Sequence, residues 1–133
     1  MRPILCVGEP ERNGADWFVQ VREQLLASLP DDPPDGFALA YEPIWAIGSG
    51  RTPTLEEIGD ALARLRDTLV ARIGGIGEAV PLLYGGSVGA GNAREICALP
   101  EVGGLLIGGA SLTAASMTAI LGEVGAARAV AAN

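Results

Sequence analysis

Four times in its 133 residues the chain repeats one unit: a short apolar strand, a glycine-containing loop, then an amphipathic helix. The first strand is Ile4-Leu5-Cys6-Val7, stopped by Gly8, with a helix from about Asp16 to Leu29 carrying Phe18, Val21, Leu25 and Leu29 on one face. Pro30 to Gly36 reads as a loop, with its prolines and aspartates. The second strand is Phe37 to Tyr41, ended by Glu42-Pro43, and a long loop runs on to Pro53. Thr54-Leu55-Glu56-Glu57 is a capping box opening a helix with Leu55, Ile58, Leu62, Leu65, Leu69 and Ile73 along one stripe, closed by Gly74-Gly75. The third strand is Val80 to Tyr84, followed by Gly85-Gly86 and a helix from about Asn92 to Leu99. The fourth is Leu105-Leu106-Ile107, followed by Gly108-Gly109, a helix over about Ala114 to Leu121, and a tail, 122–133, expected to fray.

Strands that are continuous apolar runs suit a parallel sheet covered on both faces, and strict βαβα order implies right-handed crossovers. Periodicity alone leaves a small open sheet and half a barrel equally open.

In α/β architectures ligands bind at the carboxyl ends of the strands. Those ends here are Gly8-Glu9, Glu42-Pro43, Gly85-Gly86-Ser87 and Gly108-Gly109, a carboxylate beside glycine-rich loops. Two successive diglycine loops leave backbone N–H groups free to converge on an anion, although a single pair is as readily a tight turn. Glu42 follows an apolar strand directly, and Pro43 holds its backbone extended. A carboxylate in a partly dry cleft becomes a usable base, whereas the same residue in water is only a solvated loop position.

Composition narrows the partners. The formal net charge is −7, and the nine basic residues are all arginine, with no histidine. They are scattered singly, which argues against a nucleic-acid footprint and against polybasic membrane anchoring. No apolar run is long enough to span a bilayer and the N-terminus lacks a secretory pattern, so a cytoplasmic protein is expected. Cys6 and Cys97 have no metal-ligand spacing and are expected to be buried, reduced thiols.

The ten-residue segment Tyr41-Glu42-Pro43-Ile44-Trp45-Ala46-Ile47-Gly48-Ser49-Gly50 resembles the catalytic-base and lid segment of the triosephosphate isomerase family. Cys6-Val7-Gly8-Glu9, Tyr84-Gly85-Gly86-Ser87-Val88 and Gly108-Gly109-Ala110-Ser111-Leu112 resemble that family's fifth, seventh and eighth strand ends, in order and at compatible spacing. The segment after Glu9 is shorter than usual, and Gly89 stands where a lysine is common.

The resemblance implies a (β/α)8 barrel, of which residues 1–133 are the C-terminal half, strands five to eight. It implies that Glu42 is the base that moves a proton between two carbons of a small phosphorylated triose, in glycolysis and gluconeogenesis. Pro43, Ile44, Trp45, Ala46, Ile47, Gly48 and Ser49 would form the lid, with Trp45 a hinge or packing residue. Gly48, Ser87, Gly108 and Gly109 would give N–H groups to the substrate phosphate. Ile47 and Leu106 would clamp the base, Tyr84 and Ser87 would latch the closed lid, and Glu9 and Cys6 would be structural. No metal or organic cofactor is implied.

In the family the first strand supplies an Asn and a Lys and the fourth a His; this chain has no Lys and no His. The expectations are therefore a fragment of a longer isomerase, a half-barrel that pairs with a separate N-terminal half or with itself, or a non-catalytic phosphate-binding or assembly module. The intact family member is usually a homodimer, through loops of the other half.

Overall fold

In the computed structural model, residues 1–12, 14, 17–47, 49 and 51–131 are described, with side-chain surroundings given to Ala127. The order is β1 (Ile4–Val7), α1 (Trp17–Ser28), β2 (Ala38–Tyr41), a 3₁₀ turn (Ile44–Ala46), α2 (Leu55–Ile73), α3 (Gly75–Ala79), β3 (Leu82–Gly85), α4 (Ala93–Cys97), β4 (Gly104–Leu106), a second 3₁₀ turn (Gly109–Ser111) and α5 (Ala114–Ala131). The strands form one parallel sheet in the order β1-β2-β3-β4.

Register aligns Val7, Tyr41, Tyr84 and Leu105 in one row and Cys6, Ala40, Leu83 and Gly104 in the next. Successive strand residues point to opposite faces, so the two rows belong to different sides. The first side meets the helices: Val7, Leu39, Tyr41, Leu82 and Tyr84 are buried against Val21, Leu25, Ile58, Leu62, Leu65 and Leu69. Each such leucine contributes about 1.5–3 kcal/mol by leaving water. The second side is open at β1, where Ile4 and Cys6 are exposed.

Local chemistry sets the element ends. The capping box forms as expected: Glu57 N donates to Thr54 Oγ1 at 3.1 Å and Thr54 N to Glu57 Oε2 at 2.8 Å. Gly74 ends α2 with φ +63°, a conformation side chains rarely tolerate. Leu55, expected on the buried stripe, is exposed because it is the first residue of the helix.

Several boundaries differ from expectation. Gly75 does not extend the α2 stop but begins α3, and Val80 caps α3 instead of opening β3. Arg66 holds that connection, donating from Nη1 to the carbonyls of Gly77 at 2.6 Å and Val80 at 2.7 Å. Asn92 and Leu99 lie outside α4, and β4 is one residue earlier than predicted. The helix predicted to end at Leu121 runs on to Ala131. Alanine favours helix enough to carry it past Gly122 and Gly125, and Val124 and Ala127 pack inward. Cys6 is exposed and Cys97 half-buried, where two buried thiols were expected. Cys6 shares the open side of the sheet with Ile4, which is also exposed.

Candidate active site

At the carboxyl end of the sheet, the last row on the open side comprises Gly8, Glu42, Gly85 and Leu106. Gly85 pairs with Leu106, while Glu42 N donates to Val7 O at 2.8 Å, continuing β1–β2 pairing past the formal strand. The row brings a single carboxylate between two glycines. A Cβ on Gly8 would lie 1.7 Å from the Glu42 carbonyl oxygen, and one on Gly85 would lie 2.7 Å from Glu42 Cγ and Oε1. Gly8 thus leaves room for the backbone at position 42, and Gly85 for the Glu42 side chain.

Two side-chain amides that sequence reasoning did not single out hold the strand ends. Gln24 of α1 pairs with the backbone of Gly8 in both directions, accepting from its N–H at 2.9 Å and donating to its carbonyl at 3.0 Å. Asn92 accepts from Gly89 N at 2.9 Å and donates to Ser87 O at 2.7 Å, closing the loop after β3. Amides are suited to this double task because they carry donor and acceptor together. Gln24 lies sixteen residues from Gly8, so only the fold reveals that contact, whereas Asn92 closes the loop immediately before it.

Glu42 is half-buried and opens onto a cavity of ≈ 330 Å³ lined also by Ile47, Gly86, Leu106, Ile107 and Gly108. The expected clamp pair, Ile47 and Leu106, thus meets the glutamate in one place. Gly109 opens the 3₁₀ turn over Gly109–Ser111, and Ser111 N donates to Gly108 O at 2.9 Å. A Cβ at Gly108 or Gly109 would meet nothing within 4 Å among the described residues. Ser87 is exposed at the same end. Gly48 lies outside the described residues.

The segment after Glu42 is tied at its near end. Ile44 N donates to Glu9 O at 3.0 Å, and the Trp45 indole donates to Glu9 Oε1 at 2.8 Å. Tyr41 OH donates to the same oxygen at 2.9 Å. Glu9 is the buried charged side chain among the described residues, fully enclosed. At the far end Ser49 Oγ donates to Ala46 O at 3.3 Å and accepts from Arg51 N at 3.1 Å. Pro43 and Ala46 are buried while Ile44 and Ile47 are exposed.

Burial pushes the Tyr84 hydroxyl up to about 12, and it has no hydrogen-bond partner among the described residues. Tyr41 is raised further, by burial first and then by the charge of Glu9 and the hydrogen bond to it, with Arg12 opposing. Cys6 is raised by the loss of hydration around its sulfur and by the negative charge of Glu42, which places thiol and carboxylate within electrostatic reach. Among the described residues no group of His, Cys, Asp or Glu side chains could hold a metal ion, and no helix is long and apolar enough to cross a membrane.

A sequence model of triosephosphate isomerase matches residues 1–124. The triosephosphate isomerase of Acidiphilium cryptum (strain JF-5) is 48% identical over 128 residues, covering 89% of this chain and 51% of that protein. That of Rhodopseudomonas palustris (strain BisA53) is 49% identical over 120 residues, covering 88% of this chain and 47% of that protein. The crystal structure of triosephosphate isomerase from Bartonella henselae superposes with a TM-score of 0.82 at 34% identity, over 92% of this chain and 51% of that one. The chain spans about half the length of the curated relatives it matches.

Proposed function

The chain belongs to the triosephosphate isomerase family, and from that membership we propose that it is the C-terminal half of an isomerase barrel, supplying the base, the lid and the phosphate loops. The substrate is a triose phosphate, and the reaction interconverts glyceraldehyde 3-phosphate and dihydroxyacetone phosphate. The observation that carries this reading is the seat of Glu42, a carboxylate at a parallel strand end with glycine on both sides and an apolar-rimmed cavity in front.

Glu42 takes a proton from the carbon next to the substrate carbonyl, and the electron pair moves onto the carbonyl oxygen to form an enediolate. The proton of the adjacent hydroxyl passes to the former carbonyl oxygen, and the protonated Glu42 returns its proton to the former carbonyl carbon, leaving the new carbonyl on the carbon that was deprotonated. Ile47 and Leu106, which line the cavity in front of Glu42, clamp the base. Ser87, Gly108, Gly109 and Gly48 present N–H groups to the phosphate. The side-chain room at Gly108 and Gly109 suits a ligand that must approach the backbone. Tyr84 and Ser87 latch the lid of residues 43–49 when it closes, and the Tyr84 hydroxyl has no hydrogen-bond partner among the described residues.

Developing charge on the enediolate oxygen needs a donor, and with no Lys or His the chain does not supply the family's pair. Those groups come from the part of the family barrel that this chain does not match. The test is complementation. The chain alone should fall far below an ordinary turnover of about 10 per second. Mixing with the N-terminal half of a relative should restore interconversion, and Glu42→Gln in that mixture should lower kcat by roughly a hundredfold or more with KM little changed. Full activity of the Glu42→Gln mixture removes Glu42 from the role of base. Phosphate binding without turnover in the complemented parent favours a non-catalytic binding module instead.

A further inference from the structure

We infer that Gln24 is a positioning residue for Glu42: its side-chain amide clamps Gly8 and so fixes the peptide group from which the Glu42 backbone hangs. The consequence for catalysis rests on the reading of Glu42 as the base, but the clamp itself is tested without turnover.

The ladder between the first two strands continues past their formal ends. Ala38 N donates to Pro3 O at 3.0 Å, Glu42 N to Val7 O at 2.8 Å and Ile44 N to Glu9 O at 3.0 Å. The carbonyls of residues 3, 7 and 9 thus face β2, so the N–H and C=O of Gly8 point to the opposite edge of β1. There α1 supplies what a neighbouring strand would. Gln24 Oε1 accepts from Gly8 N at 2.9 Å, and Gln24 Nε2 donates to Gly8 O at 3.0 Å. Val21 and Leu25, beside Gln24 on α1, are buried in the core, so the amide is presented by an anchored helix.

The contact reaches Glu42 through one peptide group. The Val7 carbonyl and the Gly8 N–H belong to the same planar trans unit and point in opposite directions. One side accepts from Glu42 N and the other donates to Gln24 Oε1. Gln24, that peptide and the Glu42 N–H therefore form one hydrogen-bonded chain, whose members polarise and strengthen one another. Gly8 is also in close steric contact with position 42, since a Cβ there would lie 1.7 Å from the Glu42 carbonyl oxygen. A tilt of the Gly8 backbone is therefore felt by the peptide that joins the base to Pro43. Gln24 sets the backbone of Glu42, while Gly85 leaves room for its carboxylate.

The test is amide hydrogen exchange in the ¹⁵N-labelled full-length chain. Gln24→Met keeps the length of the side chain and suits a helix, but has no amide to offer. Gly8 N–H and Glu42 N–H should both exchange about tenfold faster, the change expected when one hydrogen bond is lost. Leu62 and Leu65, buried in α2, should keep the parent rate. Gln24→Glu retains the acceptor for Gly8 N–H and should recover protection at both positions. A folded Gln24→Met with Glu42 N–H at the parent rate overturns the proposal, as does equal acceleration at Leu62 and Leu65. If Gln24→Met does not fold, Gln24→Leu is read in the same way, and failure of both reduces Gln24 to packing. In the complex with the N-terminal half of a relative, Gln24→Met should lower kcat about tenfold with KM little changed. Added to Glu42→Gln it should lower kcat no further, because placement of the base no longer matters once the base is gone. A parent kcat in Gln24→Met, or an equal fall in the Glu42→Gln background, overturns the positioning role. A parent complex without turnover overturns the isomerase reading alone, and the exchange rates still decide the clamp.

Discussion

The carboxylate of Glu42 lies where a side chain at position 85 would begin, 2.7 Å from a Cβ built on Gly85. Contacts of that length cannot persist, and the neighbour that must yield is the flexible end of Glu42. Gly85→Ala should therefore cost little stability but swing the carboxylate away from its cavity. In a complemented barrel kcat should fall by about a hundredfold, since misplacing a reacting group by an ångström has that effect. Steady-state kinetics beside a urea denaturation curve would separate the two effects; unchanged kcat would mean Glu42 need not sit there.

Gly109→Ala should show the opposite balance. Nothing within 4 Å obstructs a Cβ there, so the midpoint of unfolding should stay within ~0.5 kcal/mol of the parent. The methyl would stand instead where the phosphate approaches the backbone, raising KM more than it lowers kcat. Calorimetry with inorganic phosphate and kinetics of the complemented barrel would check this together.

Much of this arrangement is legible in the sequence because it is local. A strand stopped by glycine, a Thr-x-x-Glu box and a glutamate before proline are decided within a few residues, and each recurs in the fold. What is not legible depends on distant partners. Gln24 serves Gly8 from sixteen residues away, through a side-chain contact that no periodicity marks. Cys6 reads as buried from its apolar strand, yet its exposure is set by what lies across the open side of the sheet. The helical course of 122–131 turns on a contest between two glycines and the packing of Val124 and Ala127, which sequence alone does not weigh.

Alkaline stability should betray both tyrosines. An unfolded phenol ionises near 10, whereas folded Tyr84 holds its proton to about 12. Between those values the unfolded chain binds fewer protons than the native one, so stability falls as pH rises, by about 1.4 kcal/mol per pH unit for each such group. The contribution is fully present below about 10 and lost through 12, and Tyr41 acts with the same sign. Absorbance of phenolate should thus appear with unfolding, not before it. Ionisation of either tyrosine near pH 10 in a folded chain, followed at 295 nm beside circular dichroism (roughly the phenolate band), would contradict this.

The open side of the sheet leads to the last prediction. β1 and β4 each have one unpaired edge, and parallel strands pair readily with any strand offered in the same sense. Beside β1 the groove of ≈ 250 Å³ is lined by Pro3, Ile4, Leu5, Leu29 and Phe37 among others, and beside β4 one of ≈ 220 Å³ is lined by Val102, Leu105, Met117, Ile120 and Val124 among others. Closure into a barrel removes both edges and fills both grooves. The −7 charge opposes association, but salt screens it beyond roughly 10 Å, and the apolar surface meets its partner at contact. Sedimentation of the chain alone should show concentration-dependent association, and the N-terminal half of a relative should replace it with a one-to-one complex. Cys6 reports the difference, since it faces the open side: with Cys97→Ala present, its reaction with a thiol reagent should be fast in the dilute chain and strongly slowed in the complex. A chain that stays monomeric at every concentration, with Cys6 equally reactive with and without the added half, would refute closure at these edges.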